Sequence, residues 1–348
     1  MSSSKYPCAL LINDIHVSKD NIPEFKKNWN EAVMRCQQLN IEDIVVGGDL
    51  WQARAAQTLD VLLAVKDVLE ETTAAGICLT IAEGNHDLVD QEALCGYSHI
   101  FDGIRGVSAV SDYAVLSFGD KVDLYVMSYF PENGSFTKRY NEMLEIDPPA
   151  KSVKSVLYLH EGIKGGLAQP REDELPANMF KDFDAVLVGH YHDRKKIPGT
   201  NVEYIGASRQ HNFGEDEEKG YTVLYTDGSY EFIKNEVNMR YKNIDVRYED
   251  LNDKFYQSLE GIDDSRYKTK IRVSCHSEEA ENIDKQKILD AGATRIEIVT
   301  EQTEVSQAKA HALDHKFDKA GIKDEYKSFC NNKEIDNEMG LRYLDKIN

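Results

Sequence analysis

Five short stretches of this chain bring together carboxylates, imidazoles and an amide: Asp14-Ile15-His16, Gly48-Asp49, Gly84-Asn85-His86-Asp87, His160-Glu161 and Gly189-His190-Tyr191-His192. Oxygen and nitrogen donors of this kind suit manganese, iron or zinc better than a thiol-preferring metal. In an extended segment, side chains at i and i+2 point the same way, so Asp14 with His16, and His190 with His192, can each reach one ion. Two neighbouring ions need a shared ligand, and Asp49, on its own tight turn, can serve as one. Such a pair clamps a phosphate and lowers the pKa of a water between the ions, giving a hydroxide for in-line attack. A single Asp or His after a strand is more often a cap or a satisfied core residue. His99, His211, His276, His311 and His315 are read that way.

Each of the five stretches sits where an apolar run stops. Residues 9–12, 44–46 and 77–81 read as buried strands, and they lead to Asp14, Asp49 and Asn85. Between them, residues 22–39 show Phe25, Trp29, Val33 and Cys36 at helical spacing, and residues 56–72 place Leu59, Leu62, Leu63 and Leu69 inward. This β-α-β-α-β order predicts parallel strands with right-handed crossovers, whose carboxyl ends collect ligands. Shorter strands follow at 107–110, 114–117 and 122–129. Residues 153–159 then deliver His160, and 185–188 deliver His190 and His192. Residues 202–205, 221–225 and 230–233 read as antiparallel strands with turns at Pro198-Gly199 and Asp227-Gly228.

A boundary is expected near 237. Residues 1–236 form the main domain, 237–302 a small α/β domain, and 303–348 a charged helical tail. Strands at 244–246, 270–273 and 295–299 and a helix around 278–290 make up the small domain. The net charge of −20 argues against a simple non-specific nucleic-acid binder and reads mostly as a solvated surface. No run approaches a membrane span, and the N-terminus lacks a basic region followed by a long apolar stretch, so a cytoplasmic protein is expected. The six cysteines are scattered without a Cys-x-x-Cys pair and read as reduced, mostly buried thiols.

The ordered set Asp-x-His, Gly-Asp, Gly-Asn-His-Asp, a lone His and Gly-His-x-His resembles the calcineurin-like metallophosphoesterase superfamily over about the first two-thirds of the chain. The resemblance implies a four-layer α/β/β/α sandwich, here with a small C-terminal α/β cap and helical tail. It implies two divalent ions, manganese first, with magnesium, iron or zinc as alternatives. One would be held by Asp14, His16, Asp49 and His192, the second by Asp49, Asn85, His160 and His190. His86 would be unligated and would stabilise or protonate the leaving oxygen.

Within the superfamily, the chain looks most like the SbcD and meiotic-recombination-eleven group of DNA double-strand-break nucleases. Gly48-Asp49-Leu50-Trp51 and the run Tyr204–Ser208, Phe213-Gly214-Glu215 and Lys219-Gly220-Tyr221 carry this likeness, together with the cap-like C-terminal region. The group resemblance implies a DNA exonuclease/endonuclease, a homodimer and a coiled-coil ATPase partner of the SbcC type. Leu313, Phe317, Ile322, Tyr326 and Phe329 are apolar positions that could dock on that coil. Many relatives place a His three residues after the bridging Asp. This chain has Gln52 there, which leaves phosphate contact to Gln52 or Arg54. Arg194-Lys195-Lys196 and Arg266–Lys270 are candidate DNA contacts, with solvated loop charge as the equal alternative. Two other functions stay open: a metallophosphoesterase acting on a phosphoprotein or nucleotide, and a non-catalytic DNA-end-binding subunit. Asp87 either orients His86 or caps the next segment.

Overall fold

A computed structural model describes residues 5–90, 93–167, 169, 171, 174–301, 326, 327, 330 and 341. Two compact units emerge: Met1–Tyr241 with Ser265–Tyr267, and Lys242–Asp264 with Lys268–Asn348. The division thus falls after Tyr241 rather than after residue 236. Most of the expected tail, including Leu313, Phe317, Ile322 and Phe329, lies outside the described residues.

In chain order the first unit contains β1 (Pro7–Ile12), α1 (Ile22–Leu39), β2 (Asp43–Gly47), α2 (Leu59–Ala74), β3 (Cys78–Ala82), β4 (Val107–Val110), β5 (Tyr113–Phe118) and β6 (Val122–Met127). It continues with α3 (Ser135–Ile146), β7 (Lys154–His160), β8 (Ala185–Gly189), β9 (Lys195–Lys196), β10 (Val202–Tyr204), β11 (Gly220–Tyr225) and β12 (Tyr230–Lys234). One six-stranded sheet runs β12-β11-β1-β2-β3-β4, the other β5-β6-β7-β8-β10-β9. The strands that lead to the five stretches are parallel within each sheet: β1 to β2, β2 to β3, and β7 to β8.

Alternation along the strands builds the layers. Leu10, Ile12, Ile44 and Val46 face a core shared with Phe25 and Trp29 of α1 and Val65 and Leu69 of α2. Their neighbours Ala9, Leu11 and Val45 meet Leu124, Val126, Val156 and Leu187 of the second sheet, in a core between the sheets. Leu157, Leu159, Val186 and Val188 turn outward onto Phe136, Tyr140 and Met143 of α3. The result is a mixed α/β fold with two packed sheets and helices on both outer faces.

The structure corrects several expectations. On α2 the buried face is Val61, Val65, Val68 and Leu69, while Leu59 and Leu63 are exposed. The helix α3 was hidden in sequence because its buried Phe136, Tyr140 and Met143 are spaced among charged residues. Strand β10 is parallel to β8, and only its pairing with β9 is antiparallel. The six cysteines are all free, yet Cys78 and Cys95 are exposed. No described helix is long and apolar enough to cross a membrane.

Most of a three-stranded sheet, β13 (Arg240–Arg247), β14 (Tyr267–His276) and β15 (Arg295–Glu301), falls in the second unit with α4 (Asp253–Glu260) and α5 (Lys285–Asp290); Arg240, Tyr241 and Tyr267 are counted with the first. Strands β14 and β15 are parallel. Tyr256, Leu259, Ile271, Val273 and Ile288 form its own core. The helix expected over 278–290 is split into a short 3-10 turn, Ala280–Asn282, and α5, with Ile283 buried between them.

Trp29 is a direct check on the α1–α2 packing. It is buried, and its indole N–H donates to Thr72 Oγ1 of α2 at 2.8 Å. Trp29→Ala is expected to cost about 3–5 kcal/mol in denaturant unfolding, whereas Leu59→Ala and Leu63→Ala should change stability by no more than about 0.5 kcal/mol. A large loss at Leu59 would contradict the observed face of α2.

Candidate metal centre

The loops that leave β1 and β2 run side by side. Asp14 N–H donates to the Gly48 carbonyl, Ile15 and His16 N–H to the Asp49 carbonyl, and Val17 N–H to the Leu50 carbonyl. Parallel pairing therefore continues past the strand ends and holds Asp14, His16 and Asp49 together. The backbone is bent to do this. Among the described residues five non-glycine positions have positive φ, and four are Asp14 (50°), His16 (49°), Asp49 (53°) and His190 (88°). Such positions cost energy and persist only where surrounding bonds over-determine them. Asp14 and His16 thus converge through left-handed turns, not through the extended i, i+2 geometry expected from sequence. Gly84 is required by close approach, since an added Cβ would lie 2.3 Å from the Asp49 backbone nitrogen.

The donor atoms gather in two overlapping groups. His16 Nε2 lies 3.2 Å from His192 Nε2 and 3.5 Å from Asp49 Oδ2, and His192 Nε2 is 3.9 Å from Asp14 Oδ1. The same Asp49 Oδ2 is 3.3 Å from His160 Nε2. Asn85 Oδ1 stands 3.2 Å from His160 Nε2 and 3.1 Å from His190 Nδ1. Donors bound to one ion at about 2.1 Å stand roughly 3.0–3.4 Å apart at octahedral or tetrahedral corners. The observed spacings fall mostly in that range. Imidazole nitrogens of His16 and His192 facing each other gain at most one hydrogen bond between them, so a shared cation is what their convergence fits. Asp14, His16 and His192 form one set with ligand atoms all within 4.8 Å, and Asp14, Asp49 and His160 another; His86 also comes this close to His16 and Asp49.

Hydrogen bonds fix which nitrogen each ring presents. His160 Nδ1–H donates to the Gly47 carbonyl at 3.1 Å, leaving Nε2 for the cluster. His192 Nδ1–H donates to Glu215 Oε1 at 2.8 Å, which does the same for its Nε2. Burial drives the His16 and His190 imidazoles down to about 3, the neutral, ligating state. Burial pushes the Asp14 carboxyl up, against the pull of His160 and His192. Burial acts on Asp49 too, but the His160 and His16 imidazoles outweigh it and hold that carboxyl well below the usual range. His160 is the counterpart: burial opposes its charge, yet Asp49 and Asp14 lift it to about 9.

A pH dependence follows. Without an ion, His160 carries a proton below about pH 9, and that proton must leave before Nε2 can ligate. Affinity for a divalent ion should therefore weaken by roughly tenfold per pH unit as pH falls below the His160 value, with protons released on binding. Manganese titrations at stepped pH in weak buffer measure both. An affinity flat across that window contradicts a ligand role for His160.

The other expected site residues are near but differ in role. His86 is half-buried; its Nδ1–H donates to the Gln52 carbonyl at 3.0 Å, and its ring lines the cleft over Asp49, Asn85 and His190. Gln52 thus orients His86 through its main chain and is itself a lining residue of the cleft. Arg54 lines an adjoining cleft with Asn85, His190 and Arg171. Asp87 does neither of the jobs left open for it. It is buried and accepts from Trp51 N–H at 2.9 Å and Gly84 N–H at 2.6 Å, tying the β2 and β3 exit loops together. Burial, with repulsion from Asp49, raises its carboxyl to about 7.

Of the candidate DNA contacts, Arg194 is held by Glu203 at 2.7 Å and lies over the Phe232 ring, and Lys195 donates to the Gly166 carbonyl. Arg266 donates to the Glu236 carbonyl, and Lys270 pairs with Glu297. Sequence reasoning missed His211. Its ring centroid lies 5.1 Å from that of His16 and 4.9 Å from that of His192. It missed the reason for Arg209 and Glu215 as well. The signal available was their position directly after the Tyr204–Ser208 run.

Comparisons with known proteins agree with this geometry. The model of the calcineurin-like phosphoesterase family matches residues 9–194, more than half of the chain. A phosphoesterase of Invertebrate iridescent virus 6, 244L, is 25% identical over 224 residues, covering 62% of this chain and 74% of the viral protein. The DNA double-strand break repair protein Mre11 of Methanopyrus kandleri is 22% identical over 62% of this chain, and that of Haloferax volcanii 23% over 66%. The chain spans about half the length of these two archaeal proteins, 52% and 49%. Among solved structures, TT1561 of Thermus thermophilus is 12% identical with a TM-score of 0.44, over 66% of this chain and 99% of that one. A dimetal phosphatase from Danio rerio is 12% identical with a TM-score of 0.40, over 63% and 93%. The family assignment rests on the family model and not on these two structures. Since the span it matches holds every one of the converging donors, the chain belongs to the calcineurin-like phosphoesterase family and is a metal-dependent phosphodiesterase.

Proposed function

We propose that this phosphodiesterase is a DNA nuclease of the SbcD and Mre11 type, acting in DNA end processing, recombination and repair with an SbcC-type ATPase and as a homodimer. The observation that carries the reading is a full donor set in a chain similar to two proteins named for DNA double-strand break repair. Asp14, His16, Asp49 and His192 would hold one divalent ion, and Asp49, Asn85, His160 and His190 the second, with Asp49 common to both. Bound manganese ions would clamp the scissile phosphate and supply a nucleophilic oxygen at neutral pH.

The chain's own residues do the rest. The Gln52 carbonyl accepts from His86 Nδ1–H and fixes the ring, so that the imidazolium form can give its Nε2 proton to the leaving oxygen as the P–O bond breaks, leaving neutral His86. Arg54 and Arg171 line the adjoining cleft beside Asn85 and His190, together with Glu132 and Glu174, whose carboxylates accept from Gly162 N–H and Tyr191 O–H, and the two guanidiniums are the groups there that suit a flanking phosphate. In a chain of net charge −20, such local cations matter more than the overall field.

Purified protein with manganese is expected to degrade linear duplex or cleave single-stranded DNA, alone or with the ATPase. Failure on all these substrates overturns the nuclease reading. Hydrolysis of bis-p-nitrophenyl phosphate without DNA cleavage would instead support an enzyme acting on a nucleotide or another small ester.

Two variants separate ligation from proton transfer. Asp49→Ala should lose both ions in elemental analysis, because a shared ligand has no substitute. His86→Ala should keep both while turnover drops by roughly two to four orders of magnitude. Equal metal content in the two variants would contradict the division of roles.

A further inference from the structure

We propose that the segment Arg209–Glu215 is a clamp that controls occupancy of only one of the two metal positions, the one built from Asp14, His16 and His192. This rests on the dimetal reading above and concerns positioning residues, not ligands.

Four contacts carry it. Glu215 Oε1 accepts from His192 Nδ1–H at 2.8 Å. His211 Nε2–H donates to the Asp14 carbonyl at 2.8 Å. Arg209 Nη2 donates to the Ile15 carbonyl at 3.1 Å and the His16 carbonyl at 3.3 Å. These three carbonyls belong to the turn whose Asp14 and His16 have positive φ. A left-handed turn faces its carbonyls away from any strand ladder, so side-chain donors must satisfy them. Arg209, buried itself, does this for two of the three.

Glu215 is in turn held rigidly. Its Oε2 accepts from His211 N–H at 2.9 Å and its Oε1 from Asn212 Nδ2 at 2.7 Å, while its own carbonyl accepts from Gln210 Nε2 at 2.8 Å. The segment is therefore one hydrogen-bonded body, with one end on His192 and the other on the Asp14–His16 turn.

The second position is supported differently. His160 is the last residue of β7 and is oriented by the Gly47 carbonyl of β2. Among the described residues, no hydrogen bond joins Arg209–Glu215 to Asn85, His160 or His190. The Arg209–Glu215 loop thus braces His192 and the Asp14–His16 turn in addition to the strand-end pairing, whereas His160 is held by a strand-end carbonyl. Loss of an outer-shell carboxylate behind a ligating imidazole typically costs about 10–100-fold in metal affinity. Here that loss should fall on one ion alone.

The test is metal retention. Full-length protein is stripped with chelator, reloaded with manganese and desalted, and manganese per chain is measured by elemental analysis. Electron paramagnetic resonance then distinguishes a coupled pair from an isolated ion. Wild type should retain two ions, Glu215→Ala one, with the isolated-ion spectrum and about 10–100-fold weaker binding of the second. Glu215→Gln keeps an acceptor for His192 and should retain two ions, more weakly than wild type; it also serves should the alanine variant fail to fold. His190→Ala should lose the other ion, and the Glu215→Ala, His190→Ala double variant should retain none. Two ions bound with wild-type affinity in Glu215→Ala, or loss of both ions from a folded Glu215→Ala protein, overturns the clamp. Fewer than two ions in wild type overturns the dimetal reading itself, and a single-ion wild type that ignores Glu215 sinks both.

Discussion

Two buried carboxylates set the terms for the rest of this structure. Asp14 and Asp49 are 0% and 2% exposed and close enough to share His160 as a neighbour. Burying like charges side by side is unfavourable unless cations or donors surround them. In the protein alone, that burden falls on His160, whose raised pKa mirrors the lowered one of Asp49. Divalent ions would take over the same role and release the proton. The two-sheet fold is what makes the juxtaposition possible. It brings the carboxyl ends of β1, β2 and β3 against those of β7 and β8, so that one sheet supplies the carboxylates, the amide and His16, and the other supplies His160, His190 and His192.

Keeping the charges there requires a distorted backbone, and the distortion is itself supported. Four of the candidate ligand positions sit at positive φ. Neighbouring exit loops and, at the Asp14–His16 turn, Arg209 and His211 meet their backbone groups, and Asp87 ties the adjoining β2 and β3 loops through Trp51 and Gly84. Glycines serve the same end by absence: a side chain at Gly84 would occupy the space of the Asp49 backbone. The ligand set and the loops that carry it are therefore one mechanical unit.

That unity decides what was legible in the sequence. Strand ends were readable because short apolar runs of β-branched residues stop abruptly at polar ones, and β1, β2, β3, β7 and β8 all appear where those runs lie. The donor residues were readable because their types are rare at such places. Geometry was not readable. The left-handed conformations of Asp14, His16 and His190 come from hydrogen bonds to loops far away in sequence, which no local pattern encodes. His211 was read as an ordinary histidine for the same reason: its partner, the Asp14 carbonyl, is 197 residues away. Helix α3 was not read because its buried side chains, Phe136, Tyr140 and Met143, are few and lie among charged and polar residues.

Charge at the centre also reconciles an acidic chain with an anionic substrate. Around Asp14 and Asp49 stand further buried acids, Glu83, Asp87 and Glu161, and burial raises all three. Each accepts hydrogen bonds that brace the surrounding loops: Asp87 from Trp51 and Gly84, Glu83 from Ser98, and Glu161 from Phe130. Two divalent ions against two carboxylates would then leave a net charge of about +2 at the floor of the cleft. A phosphodiester carries one negative charge, so its attraction to that floor is local and strong where water is excluded. The −20 of the whole chain is spread over solvated surface and screened within about 10 Å at ordinary ionic strength. The field that matters to the substrate is thus set by the charges at the floor of the cleft, while burial works against ionisation of the outer acids.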